Sequence, residues 1–149
     1  MSSPFVDIGS AMVVALRALD VVDAVEANRV PPLKKGVASA IVVRLNGSQG
    51  QRAGVHGGPV DWETDYEVEI LVRYETEQDP ALAVDDILAA AFACLTALQL
   101  TATLSVEQVL PDPSITWDFG EGEERFAMAS FNVRVTHRTQ GGALVAWNT

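Results

Sequence analysis

The chain has 149 residues, of which 48% are hydrophobic and 20% are charged, a composition typical of one globular domain with a buried core. Twenty acidic residues against ten basic ones give a formal net charge of −10, and the largest basic group is the pair Lys34-Lys35. Nucleic-acid binding needs clustered cations that displace counterions from phosphates, so this function is not expected. Membrane insertion is not expected either, because no apolar stretch reaches the roughly 18 residues of a spanning helix.

Cys94 is the single cysteine, and it lies in an apolar run over residues 89–95. A lone cysteine forms no intramolecular disulfide, and its surroundings predict a buried small side chain rather than a reactive thiol or a metal ligand. The first residues contain no cationic segment followed by an apolar one, so no signal peptide is expected. We therefore expect a protein that is made and used in a cytoplasm, or is assembled there into something larger.

The first predicted element is an amphipathic helix that begins at Ser3-Pro4 and ends near Asp20. Ser3 is suited to cap the helix, and Pro4 is suited to its first position. Apolar residues then recur at spacings of three and four, at Ile8, Met12, Ala15, Leu16 and Leu19. Residues 21–29 are ambiguous, and a short strand there would place Val22, Ala24 and Glu26 on one face.

Two predicted strands flank a glycine-rich segment. In the first, over residues 36–45, one face carries Val37, Ser39, Ile41, Val43 and Leu45. Residues 46–59 (NGSQGQRAGVHGGP) contain five glycines and predict a loop, and loops of this length are typically functional or mobile. Residues 60–75 form the clearest strand, in which Tyr66, Val68, Ile70, Val72 and Tyr74 alternate with Glu67, Glu69, Leu71, Arg73 and Glu75. This alternation predicts an antiparallel sheet with a core face and a charged face toward water.

The second helix begins at Asp79-Pro80, with Asp79 as N-cap, and its apolar stripe comprises Val84, Ile87, Leu88, Ala91, Leu95 and Leu98. Residues 105–110 form a possible strand, which Pro111 and Pro113 interrupt. Residues 114–119 and 125–138 flank a glycine-containing turn and predict a hairpin. The order of elements predicts one α+β domain over residues 1–139, with a mainly antiparallel β-sheet and two α-helices packed on one face. Residues 140–149 start with two glycines and predict a flexible C-terminal tail.

The two histidines indicate no catalytic or metal site. Neither His56 nor His137 has a second histidine or a cysteine at metal-ligand spacing. The tripeptide at residues 56–58 (HGG) is like an oxyanion loop, but the G-x-S-x-G nucleophile elbow that such a loop serves is missing. A flexible loop is therefore the favoured interpretation of His56.

The glycine and acidic clusters also lack a ligand-binding pattern. Residues 46–50 lack the G-K-[ST] ending of a phosphate loop, and residues 118–124 lack the twelve-residue calcium-loop pattern. We expect no catalytic residue, metal or cofactor. Trp62 and Trp117 lie near charged rows, where a tryptophan belongs either to the core or to an interface, and the core is favoured for both.

The layout resembles the tail terminator proteins of long-tailed bacteriophages, the minor tail protein U-like family, over most of the chain. After the first helix come VEANR at residues 25–29 and PPL at residues 31–33, and the glycine-rich segment follows. The remaining features are WETDYEVEILVRY at residues 62–74, DPA at residues 79–81 and FNVRVTHR at residues 131–138.

This resemblance implies a structural virion protein of the tail, assembled in the host bacterial cytoplasm. Such proteins form hexameric rings that cap the tail tube and face the head-tail connector, so the implied partners are other copies of the chain, the major tail tube protein and the connector. DNA would pass through the ring without specific binding, and the acidic charge suits such a channel. Two alternatives stay open: another neck, head-tail joining or tail completion protein, and a small ligand-binding domain with a pocket between helices and sheet.

The surfaces expected to meet neighbouring subunits or the tube are the glycine-rich segment, the charged face of the long strand and the acidic turn. Their residues are Gln49, Gln51, Arg52, Val55, His56, Trp62, Glu67, Glu69, Arg73, Glu121, Glu123 and Glu124.

Overall fold

The computed structural model describes residues 2–28, 36–54, 57–75, 77–100, 104–120 and 125–147. In these residues two helices, α1 (Pro4–Ala18) and α2 (Pro80–Thr96), accompany five strands: β1 (Ala24–Ala27), β2 (Ser39–Arg52), β3 (Val60–Arg73), β4 (Val106–Phe119) and β5 (Phe126–Thr139). The strands form one sheet in the order β1-β2-β3-β5-β4. Only β1 and β2 pair in parallel among the described strands, so the predicted α+β class with a mainly antiparallel sheet is confirmed.

Both helices pack on the sheet face that carries the apolar row of β3. The predicted core side of β3 is confirmed, because Tyr66, Val68 and Ile70 are buried and pair with Val133, Phe131 and Ala129 of β5. The opposite face carries the charged row and is called the outer face below.

Helix α1 has the predicted apolar stripe, with Ile8, Met12 and Leu16 buried against the sheet. Its N-terminus differs from the prediction, because the Ser3 side chain makes no capping hydrogen bond. The Ser3 carbonyl instead accepts hydrogen bonds from the amides of Val6 and Asp7 at 3.1 and 3.0 Å.

Helix α2 begins as predicted, since the Asp79 carboxylate accepts a hydrogen bond from the Ala81 amide at 3.0 Å. Its buried stripe consists of Val84, Leu88, Ala91 and Leu95. Cys94 lies beside this stripe, half-buried, with its Sγ 3.7 Å from the Ala15 carbonyl of α1. Cys94 is therefore less buried than the sequence predicts, and its partial burial raises the pKa of the thiol.

The ambiguous segment after α1 forms the short strand β1 and a turn that ties it to β2. Asn28 adopts a positive φ of 56°, its amide bonds to the Val43 carbonyl at 2.8 Å, and its side-chain oxygen accepts from the Leu45 amide at 2.9 Å. Asparagine tolerates this conformation better than most residues, so Asn28 ends β1 while still bonding to β2.

The predicted loop over residues 46–59 is wrong for its first half. Strand β2 continues to Arg52 and pairs with β3 from Gly47↔Asp65 to Arg52↔Val60, after a bulge between Leu45 and Gly47. Cross-strand pairing here overrides a composition of Gly, Gln and Ser that does not favour strands. Beyond Arg52 the Ala53 amide bonds to the Pro59 carbonyl at 2.9 Å, and residues 55–56 lie outside the described residues.

Strand β4 also runs further than predicted, because it continues through Pro111 and Pro113. The pairing with β5 shifts between Pro111 and Ile115, and the Asp112 carboxylate there accepts from the Ser114 amide at 3.0 Å. Prolines are tolerated because β4 lies at the sheet edge and they fall at a bulge. The strands predicted over residues 105–110 and 114–119 are therefore one element.

Beyond β5 the chain folds back along its own strand. The Gln140 amide bonds to the Val145 carbonyl at 2.9 Å and the Trp147 amide to the Arg138 carbonyl at 3.1 Å, while the Ser105 hydroxyl donates to the Trp147 carbonyl. These contacts close a small turn, and the flexibility of residues 140–149 stays a prediction. Across the described ranges no helix is long and apolar enough to span a membrane.

Candidate interaction site

The β2–β3 hairpin carries the predicted site residues of the glycine-rich segment. Gln49 and Gln51 are exposed on the outer face, opposite Glu63 and Asp61 of β3. Arg52 is also exposed, and its guanidinium donates to the Gly141 carbonyl at 2.9 Å. The hairpin therefore presents polar side chains on one side and rests on the C-terminal turn on the other.

Trp62 lies on the helix-facing side of this hairpin. Its indole Nε1 donates to the Thr139 hydroxyl at 2.8 Å, and its ring meets the ring of Phe5 edge-on with centroids 5.1 Å apart. The ring also covers Gly50, where an added Cβ would lie 2.7 Å from the indole. Trp62 is half-buried and contacts three elements, so its ring packs the hairpin against α1 and β5.

His137 is buried beneath Trp62 and Phe5 and belongs to a chain of polar side chains. Its Nε2 lies 2.7 Å from the Thr64 hydroxyl, which lies 2.8 Å from the Ser48 hydroxyl. Burial lowers the pKa of His137 to about 4, so the ring is neutral at pH 7. Its Nδ1 is buried and has no hydrogen-bond partner among the described residues.

Among the described residues, His137 lacks the arrangement of an activated base. A general base is oriented by a further polar group on its second nitrogen and needs a reactant within reach. Here Nδ1 has no such partner in the described part of the chain, and Thr64 is fully buried. The polar chain thus has the character of a buried structural link between β2, β3 and β5. His56 lies outside the described residues.

The outer face carries a ladder of cross-strand ion pairs along β3. Arg44 of β2 contacts Glu67 at 3.0 Å and Glu69 at 2.6 Å. The same ladder includes two arginines of β5, with Arg134 3.3 Å from Asp65 and Arg138 2.6 Å from Asp61. The bond from Arg138 holds the pKa of the Asp61 carboxyl below its usual range.

These ion pairs change the interpretation of two predicted site residues. Glu69 was expected to face water, but only 7% of it is exposed, because Arg44 covers its carboxylate. Glu67 is half-buried in the same group. Arg44 offsets part of their two negative charges within the sheet, so they contribute less to a surface than an alternating strand pattern indicates.

Arg73 lies at the opposite end of β3 from the hairpin and is not brought together with the other site residues. Its guanidinium stacks over the Phe126 ring, 5.5 Å from the centroid, and its Nε is buried without a partner among the described residues. The predicted residues Val55, His56, Glu121, Glu123 and Glu124 lie outside the described residues.

A hollow of about 660 Å³ lies beside the hairpin and is lined by residues that include Gln49, Gln51, Trp62 and His137. Its lining comes from both faces of the sheet, so it is an open groove around the hairpin rather than an enclosed ligand pocket. In the described ranges no group of three metal-ligating side chains comes together.

The sequence reasoning missed an aromatic pair on the edge strand β4. Trp117 is 49% exposed and Phe119 is 38% exposed, so the expectation that Trp117 belongs to the core is wrong. The signal was present in the alternation of Ile115, Trp117 and Phe119, which places all three on one face of the strand. Only the position of β4 at the sheet edge, which the sequence does not reveal, leaves that face open.

Comparison with solved structures identifies a protein of similar fold, a sheath/tube terminator of an extracellular contractile injection system, PVC, determined by cryo-electron microscopy in its extended state. The match has a TM-score of 0.51 at 14% sequence identity and covers 97% of this chain. The chain therefore has a fold similar to that of a tube terminator. The similarity covers 60% of that neighbour's chain, so the neighbour has a further part outside the match. No family model matches the chain. Among curated proteins no match is found.

Proposed function

We propose that the chain is a structural terminator of a phage-like tail, which caps the end of the tail tube as a ring of identical copies. The observation that carries this proposal is the fold, which is similar to that of a sheath/tube terminator over 97% of the chain. The element order and local sequence features resemble the tail terminators of long-tailed bacteriophages, and the two similarities agree on the kind of protein.

The distribution of polar and ionic contacts supports a structural role. The histidine that the structure describes is buried and neutral in a polar chain, and arginines of β2 and β5 form ion pairs with outer-face carboxylates of β3. Both arrangements join neighbouring strands and stiffen the sheet. A rigid subunit that carries load within a particle requires such cross-strand links more than it requires a pocket.

We assign the contacts between subunits or with the tube to the β2–β3 hairpin. Its outer face exposes Gln49 and Gln51, and these amides can both donate and accept hydrogen bonds without adding charge to a chain of formal net charge −10. We further propose a hexamer, located in the virion, with the head connector on its far side and DNA passing through its lumen without specific binding.

The capping function is tested on tail tubes assembled from a phage major tail tube protein. Purified chain is added to growing tubes, and tube length and end structure are measured by electron microscopy. Capping predicts shorter tubes with ring-shaped density at one end. Tubes of unchanged length with bare ends would reject the terminator function, and density on isolated connectors alone would indicate another neck protein.

The hairpin's role is tested by replacing residues 54–58 with Asn-Gly and by the substitution Pro59→Thr. The Ala53 amide bonds to the Pro59 carbonyl, so these two positions form the hydrogen-bonded pair that a two-residue turn requires, and threonine supplies the amide that proline lacks. The register of β2 and β3 is kept. We expect the variant to fold and to lose ring assembly on tubes, measured by native mass spectrometry and microscopy. Normal rings from this variant would remove the hairpin tip from the interface while leaving the capping function intact.

A further inference from the structure

Strand β4 leaves one backbone edge of the sheet unpaired among the described residues. Strand β4 is the last strand of the sheet, and within the described residues it pairs only with β5. The Gly120 amide bonds to the Phe126 carbonyl at 3.0 Å, which fixes which β4 residues bond inward. In an antiparallel ladder bonded and non-bonded pairs alternate, so Thr116 and Asp118 bond to β5. The amides and carbonyls of Ile115, Trp117 and Phe119 therefore point to the free edge.

On one side of this edge, apolar side chains are exposed next to the unpaired backbone groups. Ile115, Trp117 and Phe119 project on the helix-facing side, where the two aromatic rings are 49% and 38% exposed. Natural sheets protect open edges with charge, proline or bulges. Here Pro111, Pro113 and the bulge before Ile115 protect only the first half of the strand. Residues 114–119 keep an open backbone beside exposed aromatic rings.

The other edge of the sheet is closed by the chain itself. Strand β1 has four residues, and the Arg17 side chain donates to its Val25 carbonyl from Nε at 3.1 Å and from Nη2 at 2.9 Å. A side chain that occupies an edge carbonyl blocks an incoming strand there. The two edges are thus not equivalent: a side chain occupies a carbonyl of β1, whereas among the described residues no such contact is seen at the outer edge of residues 114–119 of β4.

Charge indicates what kind of strand fits. Residues 112–124 contain five carboxylates and no lysine or arginine. A second copy paired through β4 would bring two such acidic segments together, and like charges at close range are unfavourable. A cationic strand would instead be attracted to the carboxylates that repel a second copy.

We propose that the edge of β4 over residues 114–119 binds an extended segment of another protein by strand addition, and that this segment alternates apolar and basic residues. The apolar side chains lie beside Ile115, Trp117 and Phe119 on the helix-facing side. The basic side chains lie on the outer face, beside Thr116 and Asp118. The site is independent of the hairpin and stands whether or not the chain is a terminator.

The probe is the peptide Lys-Val-Lys-Val-Lys-Val-Lys, with Lys-Val-Lys-Pro-Lys-Val-Lys as a control of equal charge that cannot complete the ladder. Binding is measured by calorimetry and by amide hydrogen exchange of the labelled chain. Strand addition predicts new protection at Ile115, Trp117 and Phe119 and affinity at least about tenfold higher than for the control peptide. Equal affinity for both peptides, no binding, or protection elsewhere overturns the site.

Two variants separate the backbone from the aromatic ring. Trp117→Ala removes the indole but keeps the outward amide, whereas Trp117→Pro removes both, and its missing amide is not needed by β5. We expect Trp117→Pro to bind the probe at least about tenfold more weakly than Trp117→Ala. Leu110→Ala, which removes a 50% exposed apolar side chain elsewhere on β4, serves as a control and should bind normally. Equal binding of the two Trp117 variants contradicts strand addition.

The choice of occupant is tested on the chain alone. Sedimentation of wild type and Trp117→Pro should give the same mass, because the proposed occupant is another protein. A dimer that Trp117→Pro abolishes would show that a second copy fills the edge and would overturn the proposal.

Discussion

Gly50 is the residue on which the Trp62 indole rests. A Cβ at this position would lie 2.7 Å from the ring, and the ring is held by Thr139 and Phe5 and has little freedom to move away. A glycine that looks like a loop signal in the sequence therefore serves a close approach between two paired strands. The same reasoning separates Gly50 from Gly47, where an added Cβ would have nothing within 4 Å.

We expect Gly50→Ala to destabilise the protein by about 1–3 kcal/mol, because the new methyl group must displace a packed ring. Gly47→Ala is the matched control and should change the free energy of unfolding by less than about 0.5 kcal/mol. Both values are measured by urea denaturation. Equal effects of the two substitutions would contradict the packing of Trp62 on Gly50.

His137 makes stability depend on pH. Burial depresses its folded-state pKa to about 4, below the ordinary value of 6.5, so the unfolded chain binds more protons between these two values. Its stabilising contribution is therefore present above about pH 6.5 and is lost as pH falls toward 4. We expect the free energy of unfolding to fall between pH 7 and pH 5, by up to about 2 kcal/mol at ~1.4 kcal/mol per pKa unit.

The variant His137→Gln keeps a polar group near Thr64 and removes the titration. Its free energy of unfolding, measured in urea at pH 7 and pH 5, should differ less between the two values than that of the wild type. An identical pH slope in both proteins would assign the effect to other groups.

At the scale of elements, the sheet depends on ion pairs between strands as well as on its apolar core. Arg44 of β2 faces two carboxylates of β3, one of which is almost fully buried. A buried carboxylate that loses its partner remains desolvated and no longer has the attraction that offset the desolvation penalty. This pair therefore differs from Arg134 with Asp65, which lies in solvent.

We expect Arg44→Met to destabilise the protein by about 2–4 kcal/mol, because Glu69 is left buried without its main partner. The double variant Arg44→Met with Glu69→Met should recover most of this loss. Arg134→Met is the exposed control and should have a small effect. A double-mutant cycle in urea tests this, and additive losses would show that Arg44 and Glu69 do not interact.

The unoccupied edge of β4 has a signature in the free protein. Amides that bond to β5 should exchange slowly with solvent, whereas those that point outward should exchange quickly. We therefore expect slow exchange at Thr116 and Asp118 and fast exchange at Ile115, Trp117 and Phe119, measured by two-dimensional NMR in deuterated water. Uniform protection along β4 would show that its outer edge is already covered.

The elements that could be predicted from the sequence are those in which local pattern and final packing agree. The alternation around Tyr66 predicts β3 and its core face, and the Asp79-Pro80 pair predicts the start of α2. The second half of β2 could not be predicted, because Gly50 and its neighbours favour a loop and become strand only through pairing with β3. The exposure of Trp117 and the burial of Glu69 depend on the order of the strands in the sheet. The alternation of residues along a single strand does not reveal that order.

At the scale of the whole molecule, a formal net charge of −10 opposes the approach of a second copy. If copies assemble into the proposed ring through the uncharged amides of the hairpin, repulsion is the main electrostatic cost. We expect assembly to strengthen as salt increases from about 50 mM to 500 mM, because the Debye length shortens. Analytical ultracentrifugation at both salt concentrations measures this, and dissociation at high salt would indicate an interface held by ion pairs.

The position of β5 between β3 and β4 has a kinetic consequence. Val60 pairs with Thr139, so the centre of the sheet joins segments that α2 and β4 separate along the chain. The β2–β3 hairpin can form as soon as it leaves the ribosome, but β3 keeps one open side until β5 arrives. Closing so long a loop slows folding. Until β5 is in place, β3 and β4 each have an unpaired edge that can pair with strands of other chains. The time between the synthesis of β3 and the insertion of β5 is therefore when the newly made chain is most exposed to aggregation.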